Sequence, residues 1–165
     1  HFILPEEAAP TIDTILSRAR QLIRQNDNVK GLVIDPWNKL EASREKGQTE
    51  TEYVAEVLNK LTYFAKVFGI HVWLIAHPKK MERAQDGSYT VPRPWDISGS
   101  SHFFNQAHIC WTIFRHVHEP EADVEFHVQK VRDAGVDGEL GVVRLKFNRD
   151  TGVYSEGEQQ FEEMS

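Results

Sequence analysis

Two segments of the chain carry apolar residues at the spacing of an α-helix. The first begins after Pro10 and Thr11, and the second lies near residues 50–68 and ends at Gly69. Each apolar stripe would give its helix one face to bury. The stripes are Ile12, Ile15, Leu16, Ala19, Leu22 and Ile23 in the first helix, and Tyr53, Val54, Val57, Leu58, Leu61, Phe64, Ala65 and Phe68 in the second.

Short apolar runs before, between and after these helices predict strands. They are residues 2–4 (FIL), 31–35 (GLVID) and 71–77 (HVWLIAH), and the last of them shows no alternation, as expected for a strand buried on both faces. Residues 98–107 could form a short helix with a serine cap, and residues 108–114 (HICWTIF) predict another apolar strand.

The pattern changes towards the end of the chain. Residues 124–131 (VEFHVQKV) and 142–147 (VVRLKF) alternate between apolar and polar positions, which predicts paired antiparallel strands with one wet face. The order β-α-β-α-β followed by a hairpin predicts an α/β domain with a mostly parallel sheet and an antiparallel edge. Ligands of such sheets bind at the carboxyl ends of the strands, where Asp35 and His77 both lie.

The composition is that of a soluble globular domain. A length of 165 residues suits one domain, and 40% hydrophobic and 27% charged residues are ordinary values. No apolar run approaches the ~18 residues of a membrane span, and no signal peptide is evident. Because the chain opens at His1 directly into an apolar run, we interpret it as an excised piece of a longer protein that starts at a strand.

The numbers of cysteines, histidines and charged residues limit which kinds of binding site this chain can form. The one cysteine, Cys110, excludes an internal disulfide, suits a core position and fits a reducing, cytoplasmic location. The eight histidines are scattered, whereas a zinc site needs about four convergent ligands. The net charge of −6 argues against a broadly basic nucleic-acid-binding face, but it allows local basic loops.

Asp35 and His77 form the first candidate site. Right-handed crossovers put their two strands in one sheet, so both side chains can share an edge of it. There Asp35 could hold Mg²⁺ through water, and His77 could contact a terminal phosphate. Alternatively, Asp35 only caps the turn before Pro36, and His77 only ends a strand.

Lys130 and Arg132 form the second candidate site. They are two residues apart on a predicted strand, so both point to the same face. Two cations at a strand end suit a phosphate, because arginine spreads charge over several oxygens and lysine adds a point charge. The alternative is a solvated strand face with ordinary basic residues.

Four motifs follow one another with characteristic gaps. They read LVIDPWN, HVWLIAHPKK, WDISGSSHFFNQAHICWTIFR and VQKVRDAGVDGELGVVRLKFNRDTGVYSE. Over residues 11–155 this order resembles the second half of the RecA-type motor of DnaB-family ring helicases, in particular the phage helicase-primase and mitochondrial Twinkle branch. The resemblance implies a RecA-like P-loop NTPase core in residues 1–155, and residues 156–165 would be an acidic tail.

The resemblance also implies roles for the two candidate sites. Asp35 would be the Walker B acid that acts on Mg²⁺, and His77 would be the sensor of the γ-phosphate. Lys130 and Arg132 would reach across a subunit boundary as an arginine-finger pair. The four residues would then gather around one polyphosphate, the last two from a neighbouring protomer.

Further implied properties concern the nucleotide and the assembly. Arg115 and Phe147 match the positions that sandwich the base of ATP or another NTP. The family forms a homo-hexameric ring with single-stranded DNA in its central hole, and a primase region or partner belongs to the helicase-primase branch.

The chain departs from the family pattern in two respects. Asn105, Gln106, Ala107 and His108 stand where the family often has Gln-x-Ala-Asp, so an acid is replaced by His108. No G-x-x-x-x-G-K-[ST] loop occurs, nor the catalytic glutamate that follows it in the family. Both lie upstream in relatives, so we expect this chain alone to bind NTP weakly or not at all and to hydrolyse none.

Two polar loops, residues 36–49 and 78–95, are expected to leave the same edge of the sheet. The family places such loops in the hole of the ring, and the second loop has a net charge of +1 when Asp96 is counted. Six copies would concentrate positive charge there. The alternative is a flexible surface loop. The candidate DNA contacts are Lys79, Lys80, Arg83 and Arg93. Tyr89 and Trp95 are available for stacking, but we favour Lys79 and Lys80 over these aromatic residues, since Trp95 could instead anchor the loop.

Two hypotheses of different classes follow. The first is a piece of an NTP-driven ring helicase that moves along single-stranded DNA, with 5′-to-3′ polarity taken from the family alone. The second is a RecA-like binding or assembly module of a plasmid or prophage without catalysis of its own. A Walker A loop upstream of His1 would favour the first hypothesis.

Overall fold

The computed structural model describes residues 9–42, 44–83, 87–97, 101–115 and 124–157. The chain divides into two compact units. The helical unit comprises His1–Lys79 and Ile97–Gln106, and the sheet unit comprises Lys80–Asp96 and Ala107–Ser165. Within the described residues, no helix is both long and apolar enough to cross a membrane.

Helix α1 (Ile12–Gln25) forms where the apolar stripe predicts it. The Thr11 hydroxyl caps the helix by accepting a 3.2 Å hydrogen bond from a backbone N–H of the first turn. Ile12, Leu16 and Ala19 are buried, so the predicted face is the one that packs.

Helix α2 (Glu50–Phe68) is defined at both ends by its own sequence. The Thr49 hydroxyl accepts a hydrogen bond of 3.2 Å from the Glu52 N–H, and the Glu52 carboxylate accepts one of 2.9 Å from the Thr49 N–H. Gly69 ends the helix at φ 60°, a left-handed conformation that costs a residue without Cβ little. The second helix prediction is therefore confirmed as well.

Strands β1 (Gly31–Ile34) and β2 (His71–Leu74) pair in parallel, with Ile34 opposite Leu74. One face of the pair joins the main hydrophobic core with residues of α1 and α2. The opposite face is open among the described residues, since Val33 is 59% exposed and Trp73 39% exposed. The prediction that β2 is buried on both faces is therefore wrong for the described chain, because α1 and α2 pack against one face only.

A short helix, α3 (His102–Gln106), adds a second apolar cluster to the helical unit. Phe103 is buried there with Val54 and Leu58 of α2. The Trp37 ring meets the Phe103 ring edge-on, with 5.5 Å between the ring centroids. Ser101, the last serine of the predicted capping stretch, directly precedes this helix, and its carbonyl accepts a 3.1 Å hydrogen bond from the Asn105 N–H. The preceding residues 98–100 lie outside the described residues.

The sheet unit contains a four-stranded antiparallel sheet in the order β3-β4-β5-β6. The β4–β5 hairpin confirms the alternation in the sequence, whereas β6 is a strand that sequence reasoning missed. The strands are β3 (Ile109–Arg115), β4 (Val124–Val131), β5 (Gly141–Asn148) and β6 (Val153–Glu156).

The described strands differ in part from the predicted sheet. Two strands pair in parallel and four pair antiparallel, so a mostly parallel sheet is not what the described residues form. The main difference is β3, whose apolar run suits a parallel strand but whose alternate residues are exposed and whose partner β4 runs antiparallel. The strand predicted at residues 2–4 lies outside the described residues.

Candidate functional site

Asp35 and His77 leave the parallel pair at the same edge. Asp35 directly follows β1, and the backbone of Ile75 continues the pairing by donating a 2.9 Å hydrogen bond to the Ile34 carbonyl. His77 lies three residues beyond the end of β2, so it follows the strand and does not terminate it. Both residues are exposed, which leaves the carboxylate and the imidazole accessible to a ligand.

Asn38 is a residue at this edge that sequence reasoning missed. Its side-chain oxygen accepts a 2.7 Å hydrogen bond from the His77 backbone N–H. The Trp37 N–H donates a 2.7 Å hydrogen bond to the Ile75 carbonyl and so ties the same two segments together. The available signal was the position of the asparagine, three residues after Asp35 in the loop that opens the edge.

The donor chemistry at this edge fits a Mg²⁺ ion that is bound through water. Mg²⁺ prefers oxygen ligands and keeps several waters, so one carboxylate beside phosphate oxygens is sufficient. Across the described ranges, no group of three or more His, Cys, Asp and Glu side chains is arranged to hold a metal ion by itself. Asp35 therefore suits a shared metal–phosphate site and not a cage made by the protein alone.

Lys130 and Arg132 lie at the end of β4, in the sheet unit. Lys130 is half-buried in the strand, and Arg132 is exposed just beyond it. The Arg132 backbone is fixed by a 2.8 Å hydrogen bond from its N–H to the His108 carbonyl. Arg132 is thus anchored through its main chain while its side chain stands at the surface.

The charges around Lys130 are close enough to affect its protonation. Burial lowers the pKa of Lys130, and the neighbouring Arg132 guanidinium lowers it further. Burial also raises the pKa of the Cys110 thiol, an effect that the Lys130 ammonium partly offsets. Lys130 lies opposite Cys110, and the Arg132 N–H continues the ladder to His108, so the three side chains lie on one side of the sheet. Cys110 is a half-buried thiol, not an activated nucleophile.

A β-bulge at Gln129 determines which face of the sheet carries Lys130. Trp111 lies opposite Val128 whereas Cys110 lies opposite Lys130, so Gln129 is the extra residue of β4. One extra residue reverses the alternation of side chains beyond it. Lys130 consequently shares a face with Cys110, a placement that the spacing in the sequence did not predict.

Arg115 and Phe147 share a face of the sheet, with β4 between their strands. Both are exposed, and the Phe147 ring lies 4.8 Å from the Tyr154 ring between centroids. Arg115 is about 17 Å along β3 from the residue opposite Lys130, at about 3.4 Å per residue. The chain thus keeps the candidate base-binding pair and the candidate finger pair at opposite ends of β3.

The candidate DNA loop contains two arginine–aromatic pairs. The Arg83 side chain donates a 2.9 Å hydrogen bond to the Tyr89 hydroxyl, and its guanidinium lies 5.0 Å from the centre of that ring. The Arg93 guanidinium lies 5.9 Å from the centre of the Trp95 ring, which is 51% exposed. Lys79 and Lys80 are also exposed, and residues 84–86 of the loop lie outside the described part.

Comparison with known proteins gives a relative in sequence and neighbours in structure. The Twinkle homolog protein, chloroplastic/mitochondrial, of Arabidopsis thaliana is 39% identical over 153 residues, which cover 91% of this chain. A solved ATPase domain matches 92% of this chain and 53% of its own, with 23% identity and a TM-score of 0.72. A second solved structure, of a DnaB-like replicative helicase and its interactions with primase, covers 93% of this chain and 37% of its own length. It has 22% identity and a TM-score of 0.72.

The chain is similar in sequence to the Twinkle homolog and in fold to the motor domains of DnaB-type helicases. No protein-family profile matches it. The chain spans 21% of the length of its curated relative. At 22% and 23% identity, the two solved structures establish the fold and no more.

His108, where the chain departs from the DnaB-type pattern, lies beside Arg132 of the candidate arginine-finger pair. His108 stands where the DnaB-type pattern often has an acid, and it is exposed just before β3. Its carbonyl is the acceptor that fixes the Arg132 N–H. Because this contact uses the main chain, it tolerates the change of side chain at position 108.

Proposed function

We propose that this DnaB-type motor domain is part of an NTP-driven DNA helicase that moves along single-stranded DNA as a ring. The observation that carries the proposal is the parallel pairing of β1 and β2, since it brings Asp35 and His77 to one edge in a chain similar to the Twinkle homolog. Phosphate ligands of α/β sheets bind at such edges.

The edge would serve the terminal phosphates of an NTP. Asp35 would hold Mg²⁺ through water, and the ion when bound neutralises phosphate charge. His77 would donate a hydrogen bond to a terminal phosphate oxygen, and Asn38 would keep the His77 backbone in place. The loss of that phosphate would remove the partner of His77 and so report hydrolysis to the loop that follows.

Lys130 and Arg132 would complete the site of a neighbouring protomer. An exposed guanidinium with an anchored main chain suits this role, because its charge can reach outward without moving the strand. Arg115 and Phe147 would hold the nucleotide base at the other end of the sheet. A homo-hexamer would supply each nucleotide with both sets of residues.

The basic loop would contact the DNA backbone. Lys79, Lys80, Arg83 and Arg93 are exposed, and such side chains neutralise phosphates without reading sequence. Repetition around a ring would concentrate their charge despite the acidic average of the chain. This chain alone would hydrolyse no NTP, because it contains no Walker A loop.

The role of Arg132 can be tested in the intact protein that contains this motor domain. We expect Arg132→Ala to leave NTP binding nearly unchanged and to lower DNA-stimulated hydrolysis by about 10³-fold or more. Steady-state hydrolysis with and without an oligo-dT strand, together with equilibrium binding of a fluorescent NTP analogue, would measure the two effects separately.

Arg24→Ala is a matched control, because Arg24 is an exposed arginine in the last turn of α1. It should retain normal hydrolysis. Full DNA-stimulated hydrolysis by Arg132→Ala would reject the finger. An intact wild-type protein that binds single-stranded DNA but hydrolyses no NTP would support the non-catalytic RecA-like module instead.

A further inference from the structure

A hydrogen-bonded cluster ties the segment 87–96 to the sheet. The Pro92 carbonyl accepts a 2.8 Å hydrogen bond from the Gln129 side-chain amide and lies 3.1 Å from the Thr112 hydroxyl. The same hydroxyl lies 3.2 Å from the Gln129 side-chain oxygen. All three residues are half-buried, so these polar groups are partly shielded from competing water.

The sheet end of this cluster is the bulge that orients the candidate finger. Gln129 is the extra residue of β4, and Lys130 follows it directly. The face that Lys130 and Arg132 share depends on how the bulge is held. A side chain that pins Gln129 therefore also pins the direction of the two cations.

The loop end of the cluster carries candidate DNA contacts. The Arg93 N–H donates a 2.8 Å hydrogen bond to the Asp96 carboxylate, and the Asp96 N–H donates one of 2.8 Å to the Arg93 carbonyl. Pro94, between them, is buried. These two bonds hold the turn from Arg93 to Asp96 in one conformation. A shift of Arg93 on DNA contact would therefore also shift the adjacent Pro92.

We propose that Gln129 and Thr112 are positioning residues that couple DNA contact on segment 87–96 to the placement of Lys130 and Arg132. The inference rests on the proposed function. DNA bound to the segment stabilises the arrangement in which Pro92 holds the bulge, and that arrangement presents the finger. Without DNA the finger is presented less often, and hydrolysis proceeds at its basal rate.

The test removes the cluster without touching either site. In the intact protein, Thr112→Val removes the hydroxyl at nearly constant shape, and Gln129→Leu removes the amide. We expect each variant to lower the stimulation of NTP hydrolysis by oligo-dT by about fivefold or more. The basal rate, the KM for NTP and the midpoint of thermal unfolding should stay close to wild type.

Conservative and remote variants serve as controls. Thr112→Ser keeps the hydroxyl and should retain stimulation. Gln25→Leu replaces an exposed glutamine at the end of α1 and should also retain it. If Gln129→Leu fails to fold, the contrast between Thr112→Ser and Thr112→Val still decides the question.

Three outcomes would overturn the coupling. Full stimulation in Thr112→Val and Gln129→Leu would show that the cluster transmits nothing, while the proposed function would stand. A basal rate that falls as much as the stimulated rate would show a merely structural role. A wild-type protein without DNA-stimulated hydrolysis would remove the proposed function and the coupling together.

Discussion

Asn38 shows how one side chain can organise the edge where two strands end. The parallel pair β1–β2 continues through backbone bonds only as far as Ile75. Beyond it, the Asn38 side chain replaces a strand partner by accepting the His77 N–H at 2.7 Å. Asn38 thus fixes the His77 backbone at the edge where Asp35 also lies.

The proposed function makes a prediction at this scale. In the intact protein, Asn38→Leu should lower NTP hydrolysis by about twofold to tenfold, because the loss of one hydrogen bond costs roughly 0.5–1.5 kcal/mol of positioning. NTP binding should change little, since Asn38 does not contact the phosphates in the proposed site. Parallel measurements of hydrolysis and NTP affinity would test both statements.

Asn28→Leu is the corresponding control, because Asn28 is an exposed asparagine in the turn after α1. It should leave hydrolysis unchanged. Equal losses in the two variants would mean that Asn38 has no special part in holding His77.

At the scale of the element, α2 illustrates how a helix is stabilised from its first turn. Hydrogen bonds from Thr49, first from its backbone N–H and then from its hydroxyl, lower the pKa of Glu52. A glutamate with a lowered pKa in the folded state stabilises it above its ordinary value of 4.5, and this stabilisation is lost as the pH falls through the lowered pKa. The stabilisation that Glu52 contributes to the cap is therefore present at neutral pH and lost in acid.

Removal of the cap should destabilise the domain. At neutral pH, Thr49→Ala should lower the free energy of unfolding by about 1 kcal/mol, because the Glu52 N–H loses its acceptor. Chemical denaturation followed by circular dichroism would measure the change.

A threonine inside the same helix provides the comparison. The Thr62 hydroxyl donates to the Leu58 carbonyl at 2.9 Å, and that carbonyl already belongs to the helix ladder. Thr62→Ala should therefore be neutral or slightly stabilising, since alanine has the higher helix propensity. A loss in Thr62→Ala as large as that in Thr49→Ala would argue against the cap as the cause.

At the scale of the whole molecule, buried apolar side chains are unevenly distributed. Both hydrophobic clusters of the described residues belong to the helical unit. Val57 in the middle of α2 is fully buried, whereas the residues of β6 are exposed. Local stability should follow this distribution, because opening is easiest where little apolar surface is buried.

Hydrogen exchange can test this distribution. Backbone amides around Val57 and Leu61 should exchange at least about tenfold more slowly than those of β6, measured under native conditions by mass spectrometry or NMR. The amides of β4, which has strands on both sides, should lie between these extremes. Protection of β6 equal to that of α2 would contradict the expectation.

Ring formation, translocation on single-stranded DNA, the choice of NTP and the cytoplasmic location inferred from Cys110 stay predictions at this scale. The chain spans 21% of the length of the curated relative it matches.

The sequence by itself determined the local elements and the order of the candidate motifs. Thr11, Thr49 and Gly69 are the helix boundaries, and the alternation of residues 124–131 and 142–147 predicted the hairpin correctly. Such features depend on hydrogen bonds and periodicity within a few residues, so they are readable along the chain.

Only the tertiary structure decided how distant segments meet. The antiparallel pairing of β3, the bulge at Gln129 and the link from Pro92 to Thr112 join residues far apart in the chain. The open face of β1 and β2 likewise depends on what packs against it, and a run of apolar letters is the same whether one face or both are covered. Strand partners and one-residue shifts in register leave little trace in local patterns, because their energy comes from contacts with segments elsewhere.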